Sequence, residues 1–99
     1  MSANPVRGEA VMVLGDERLV LRPTFAALVA AEAELGPLFA LCERAGAGQL
    51  TLAEMVGLLW HCLAERGDRA EFADAVVAGG LAHTAPALRV LLGQILAGR

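Results

Sequence analysis

An alternating stretch near the start of the chain, divided by one glycine-aspartate pair, places the strongest constraint on the fold. Residues 9–14 and 18–22 alternate in the manner of strands. Gly15-Asp16 lies between them and suits a two-residue type II′ turn, because glycine readily takes the positive φ that this turn requires. The pattern predicts a β-hairpin over residues 8–22.

The turn also predicts which hairpin side chains share a face. If Leu14 lies opposite Glu17, then Glu9 lies opposite Arg22. One apolar face then consists of Ala10, Met12, Leu14, Leu19 and Leu21, and the other holds Val11, Val13, Arg18 and Val20. A four-residue loop would shift the pairing by two residues and keep the same faces. A lone hairpin is marginal in water, so it either covers a helical core or pairs its edge with another subunit.

The remainder of the chain reads as helices. Pro23 stops the second strand, and apolar spacing with capping residues predicts helical segments near residues 24–35, 51–66, 68–79 and 84–98. A shorter helix with Leu38, Leu41 and Cys42 as its buried stripe precedes a loop at residues 45–48. The predicted N-caps are Thr24, Thr51, Asp68 and Thr84, with Glu54 completing a capping box and Pro86 in the first turn of the last helix. The predicted fold class is therefore α+β, mainly α. An N-terminal β-hairpin packs on a small bundle of four to five helices in a single domain over residues 1–99, with the helical part at 24–98.

Helical spacing predicts which side chains face the core. These are Phe25, Leu28, Val29, Leu35, Leu38, Leu41, Cys42, Leu52, Met55, Val56, Leu59, Leu63, Phe72, Val76, Val77, Leu88, Leu91, Leu92, Ile95 and Leu96. The solvent-facing side of the third helix is predicted to hold Glu54, Gly57, His61 and Glu65. Glu32 falls on the buried side of its helix, where we expect it to accept hydrogen bonds from Arg22 or a helix N-terminus. Trp60 is either a core residue or an anchor that faces a partner.

Composition narrows the functional classes. The chain has 57% hydrophobic and only 19% charged residues, so an exposed apolar patch that binds a partner is expected. The formal net charge is −3 and no basic stripe is visible, which argues against nucleic-acid binding. The N-terminus lacks a secretory signal and no apolar run reaches the length of a membrane span, so a cytoplasmic location without membrane association is expected.

The sequence contains few residues that could act as catalytic nucleophiles, acids or bases. Ser2 is the single serine, there is no tyrosine, and neither His61 nor His83 has a matching acid or nucleophile. Cys42 and Cys62 match no zinc spacing and read as two buried free thiols. We therefore expect no enzymatic activity, no cofactor and no metal site.

The first third of the chain carries a family resemblance. The residues concerned are Asn4-Pro5-Val6-Arg7-Gly8-Glu9, then Leu21-Arg22-Pro23-Thr24-Phe25, then Ala27-Leu28 with Glu32 and Leu35-Gly36. This pattern resembles the small tail assembly chaperones of gene transfer agents and related tailed prophages. The resemblance implies a protein that binds the long, aggregation-prone tape measure protein, keeps it soluble and helps to recruit tail tube subunits.

Two interpretations of the partner surface follow. In the first, a hydrophobic groove formed partly by the last helix binds amphipathic segments of the tape measure protein. The predicted contact residues are Trp60, Leu88, Leu92, Ile95 and Leu96. In the second, the chain is a structural subunit or adaptor of the tail or head-tail connector, and it self-assembles into a homo-oligomer through the hairpin edge.

Overall fold

The computed structural model describes residues 9–97 and confirms the predicted fold class. The elements are β1 (Ala10–Leu14), β2 (Glu17–Leu21), α1 (Phe25–Leu35), α2 (Leu38–Gly46), α3 (Leu52–Cys62), α4 (Arg69–Gly79) and α5 (Leu81–Ala97). Three details lie outside the described residues: the hairpin start at Gly8, the Asn4–Gly8 part of the resemblance, and residue 98 of the helical part.

The hairpin has the predicted register. Leu14 pairs with Glu17, and the antiparallel pairing continues to Ala10 opposite Leu21. Gly15 has a φ of 59°, as expected for the first central residue of the turn. The apolar face is buried at Ala10, Met12, Leu14 and Leu21, and half-buried at Leu19.

A short extended segment after α3 covers the outer edge of β2. Leu63 forms an antiparallel bridge with Leu21, and the Ala64 N–H donates to the carbonyl of Val20 at 2.9 Å. The prediction that the third helix runs to Arg66 is therefore wrong, since α3 ends at Cys62. Backbone hydrogen bonds to β2 replace the last predicted helical turn. Val20 is buried although it lies on the face opposite the apolar one.

The hairpin acts as a cover for the helical core. β1 packs against α5 and α4, while α1 packs against α3. The fully buried side chains at the centre include Leu21, Leu41, Leu58, Leu59, Val76 and Leu91. The prediction that the hairpin covers a helical core is thus confirmed, because its apolar face is buried against helices of the same chain.

Three of the predicted N-caps are confirmed. Thr24 Oγ1 accepts from the Ala27 N–H at 3.1 Å, and Asp68 Oδ1 accepts from Glu71 at 3.1 Å. Thr51 and Glu54 form both hydrogen bonds of the capping box, at 3.1 and 3.0 Å. These local signals worked because each cap needs only residues within three positions along the chain.

The predicted cap of the last helix is wrong. α5 begins at Leu81, immediately after Gly80 ends α4 with a φ of 87°, so Thr84 lies inside the helix and is buried. Pro86 is then the sixth helical residue and has no N–H for the carbonyl one turn earlier. A single glycine is enough to reverse the chain here, which leaves no room for a separate capping segment.

Several predicted core residues face outward instead. They are Phe25, Val29, Leu52, Val77 and Leu96. In α1 the fully buried side chain is Ala31, and Leu28 and Leu35 are half-buried. Because α1 is rich in alanine on every side, its apolar spacing could not decide which face meets α3.

Candidate partner-binding surface

The bend between α1 and α2 positions the first apolar surface. Gly36 ends α1 with a φ of 89°, and the two helix axes differ in direction by 76°. Glu32 Oε2 accepts the Leu38 N–H at 3.0 Å, so this carboxylate satisfies a free donor at the start of α2. The prediction that Glu32 binds a helix N-terminus is confirmed, but its predicted burial is wrong because the residue is exposed.

A depression lies between α2 and α5. Its lining includes Phe39 and Cys42 from α2, and Ile95 and Leu96 from α5, and its volume is about 240 Å³. Phe39 is 78% exposed and Leu96 is 59% exposed, whereas Ile95 packs partly against the core. The depression is therefore mainly apolar, with two large exposed apolar side chains at its mouth and one carboxylate, Glu32, in its lining.

The predicted contact residues of the last helix occupy three different environments. Leu88 is buried in the core, Leu92 and Ile95 are half-buried against it, and Leu96 is largely exposed. Ile95 and Leu96 lie in the depression, together with Phe39, which the sequence analysis did not single out. The only signal for Phe39 was its position beside the predicted stripe of α2.

Trp60 lies in a different, polar setting. Its ring is half-buried against the core, with the Cζ atoms of Arg66 and Arg69 at 5.3 and 5.2 Å from the ring centroid. Such positions are typical of cation–π contacts. Trp60 thus belongs with a cluster of charged residues rather than with the lining of the depression.

That cluster is centred on Glu34. Arg69 Nη1 donates to Glu34 Oε1 at 2.7 Å, and His61 Nε2 lies 2.8 Å from the same oxygen. The hydrogen bond from Arg69, followed by that from His61, lowers the pKa of Glu34 from 4.5 to about 2. The carboxylate therefore stays ionised at neutral pH and links α1 to α3 and α4.

The predicted solvent-facing side of α3 is wrong at two positions. Gly57 is buried, and the His61 side chain is only 12% exposed. Both lie where α3 meets α1, with Leu35 and Glu34 beside Gly57. A glycine and a histidine look polar or neutral in a helical pattern, but here Gly57 lets α1 approach α3 closely and His61 contacts Glu34 of α1.

The two thiols have restricted chemistry. Burial raises the pKa of Cys62 to about 12 and also raises the pKa of Cys42, which lines the depression. A protonated thiol is a poor nucleophile and a poor metal ligand. Within residues 9–97, no three His, Cys, Asp or Glu side chains are grouped to hold a metal ion.

The comparisons with known proteins assign a family. A family model described as "Phage tail tube protein, GTA-gp10" matches residues 7–98. The chain belongs to this family of gene transfer agent tail proteins. The resemblance to tail proteins of gene transfer agents is thereby confirmed, although the family description names a tube protein rather than an assembly chaperone. No curated protein and no solved structure matches the chain.

In the described part of the chain, no single helix is both long and apolar enough to cross a membrane.

Proposed function

We propose that this chain is a non-enzymatic tail assembly chaperone that acts in the cytoplasm, binds the tape measure protein and aids assembly of the tail tube. The observation that carries the proposal is the apolar depression between α2 and α5, with Phe39 and Leu96 exposed at its mouth. Large apolar side chains that stay in water do not stabilise the fold, and exposed apolar patches of this kind mark surfaces that bind a partner. The family membership supports a tail component as that partner.

A helical client suits the shape of this surface. An amphipathic helix presents apolar side chains at i, i+3 and i+4, which a depression between two helices accepts. Phe25 at the start of α1 is also 85% exposed, although it does not line the depression. Many copies bound weakly along one long client would keep it soluble through avidity, while each copy stays displaceable by tube subunits.

The test is co-expression with the tape measure protein of the same tail gene cluster, followed by measurement of its soluble fraction. We expect the double variant Phe39→Asp/Leu96→Asp to lose the complex. The matched control is Val77→Asp/Val90→Asp, which changes two exposed valines that do not line the depression. Equal loss in both variants, or in neither while the fold persists, would reject the depression as the client site.

A structural role in the tail is the second candidate. Val11 and Val13 occupy non-hydrogen-bonded positions of the hairpin, so their N–H groups point to the outer edge of β1. Among residues 9–97, no strand pairs with that edge, whereas the outer edge of β2 is bridged by Leu63. Subunits could join through this edge by strand addition, in agreement with the family description as a tube protein.

Size measurements separate the two candidates. The structural role predicts concentration-dependent rings or filaments of the purified chain without any client. Val13→Pro would remove one outward N–H and abolish assembly, while Val13→Thr keeps both the N–H and strand propensity and serves as the control. A chain that remains monomeric at high concentration and still forms the client complex favours the chaperone role.

A further inference from the structure

A second groove lies between the hairpin and α4, away from the α2–α5 depression. Leu14 and Leu19 contribute from the hairpin, and Phe72 contributes from α4. The groove has a volume of about 500 Å³ and is open to solvent. Its α4 wall is low, because Ala75 and Ala78 are exposed small residues that permit a close approach of another backbone.

The rim of this groove is acidic. Four carboxylates line it: Glu17 from the hairpin, Glu65 and Asp68 from the α3–α4 connection, and Glu71 from α4. No lysine, arginine or histidine lines it. Among the described residues, none of the four carboxylates forms an ion pair, since the ion pairs involve Glu9, Glu34 and Glu54.

The basic residues of the same segment are held elsewhere. The guanidinium groups of Arg66 and Arg69 lie over the Trp60 ring, and Arg69 is also bound to Glu34. Within residues 65–71, the two arginines therefore lie over the Trp60 ring, whereas the three carboxylates line the groove. This separation leaves the groove with a negative potential that this chain's own arginines do not neutralise.

We propose that this groove binds a basic amphipathic helix of a partner protein. Leucine-like side chains would cover the half-buried Leu19 beside the buried Phe72, and lysine or arginine side chains would meet the exposed Glu17, Glu65 and Glu71 across the rim. The four carboxylates stand on three separate elements, so they match several cations spaced along a helix rather than one compact ion. The proposal does not rest on the chaperone function, because it uses a different surface and different chemistry.

The direct probe is a fluorescein-labelled peptide of about 18 residues that repeats leucine and lysine at helical spacing. As a helix it is roughly 27 Å long, comparable to the 32 Å long dimension of the protein. Fluorescence anisotropy would measure its Kd at about 50 mM and about 300 mM salt, where screening differs strongly. We expect binding at low salt, weaker binding at high salt, and none for a peptide with glutamate in place of lysine.

Three variants locate the site. Glu17→Gln/Glu65→Gln should weaken binding about tenfold, as expected for the loss of two partly exposed ion pairs. Glu43→Gln/Asp74→Asn makes the same change in net charge outside the groove and should bind like the parent chain. Ala78→Arg should block the groove without touching the core, because Ala78 is exposed.

Each outcome decides the proposal. Equal weakening in the two charge variants would mean non-specific attraction and would overturn it, as would full binding by Ala78→Arg. Dimerisation of the chain that Glu17→Gln/Glu65→Gln abolishes, with no peptide binding, would make the groove a chain–chain contact and also overturn it. Phe39→Asp/Leu96→Asp should bind the peptide normally, so failure of the chaperone site and failure of this groove are distinguishable.

Discussion

Glu34 of α1 and Arg69 of α4 form a two-point ion pair across 35 positions of the chain. Arg69 Nη1 and Nη2 each donate to one oxygen of the carboxylate, a planar arrangement that fixes orientation as well as distance. Because His61 of α3 contacts the same carboxylate, three helices meet at one anion. The cluster thus links α1, α3 and α4 at a single carboxylate.

This ion pair predicts a loss of stability in acid. The folded pKa of Glu34 is about 2, below its ordinary 4.5, so the contribution is fully present above about pH 4.5 and is lost as pH falls towards 2. Both side chains are 38% exposed, so we expect Glu34→Gln to cost no more than about 1 kcal/mol at neutral pH. Urea unfolding at about pH 7 and about pH 3.5 should show the difference from the parent chain shrinking in acid.

Glu43→Gln is the matched control for that measurement. It removes an exposed carboxylate of α2 that forms no ion pair among the described residues. A Glu34→Gln difference that stays constant with pH, or a Glu43→Gln variant that reproduces its pH dependence, would contradict the assignment to the Arg69 pair.

Two helical glycines predict opposite responses to alanine. At Gly93 of α5 a Cβ would meet nothing within 4 Å, so Gly93→Ala should stabilise the protein by about 0.5–1 kcal/mol through helix propensity. At Gly57 of α3 a Cβ would lie 3.1 Å from Arg69 Nη2 and 3.2 Å from Leu35 Cδ2. We expect Gly57→Ala to destabilise the protein in spite of the better helix propensity of alanine, because the new methyl group displaces the Glu34–Arg69 ion pair. Thermal unfolding of the two variants checks the prediction, and equal stabilisation by both would contradict the close packing at Gly57.

Local patterns in the sequence were sufficient for the hairpin and the caps. The Leu14–Glu17 register and the Thr51 capping box depend on contacts within a few residues, so a short window contains all the information. The same reasoning failed at the end of α3, because the backbone of Cys62 and Ala64 hydrogen-bonds to Arg22 and Val20, which are distant in sequence. Tertiary hydrogen bonds replaced a helical turn that local propensity favoured.

The candidate site was only partly predictable. Leu96 and Ile95 could be proposed from the apolar last helix, but the contribution of Phe39 depends on the bend at Gly36, whose angle no periodicity encodes. Trp60 was grouped with them by residue type alone, and its position beside Arg66 arises from the extended segment after α3. Surfaces built from several elements require the tertiary arrangement, whereas single amphipathic faces do not.

The capping box at the start of α3 predicts a defined stability loss. Thr51→Ala removes the acceptor for the Glu54 N–H and should cost about 1 kcal/mol. Thr51→Ser retains a hydroxyl oxygen in the same place and should cost much less. Urea unfolding of the two variants measures the difference, and identical midpoints would show that the hydrogen bond contributes nothing to folding.

The two thiols provide a chemical footprint of the depression. Cys62 is fully buried with its pKa raised to about 12, so a thiol reagent should reach it only when the protein unfolds. Cys42 is half-buried in the depression with a raised pKa, so it should react slowly in the folded protein. Cys42→Ser should abolish this slow reaction and leave the denaturant-dependent one.

A client bound between α2 and α5 should slow Cys42 labelling further, and mass spectrometry of labelled protein with and without client measures the protection. Labelling of Cys42 that is unaffected by a saturating client would place the client on another surface.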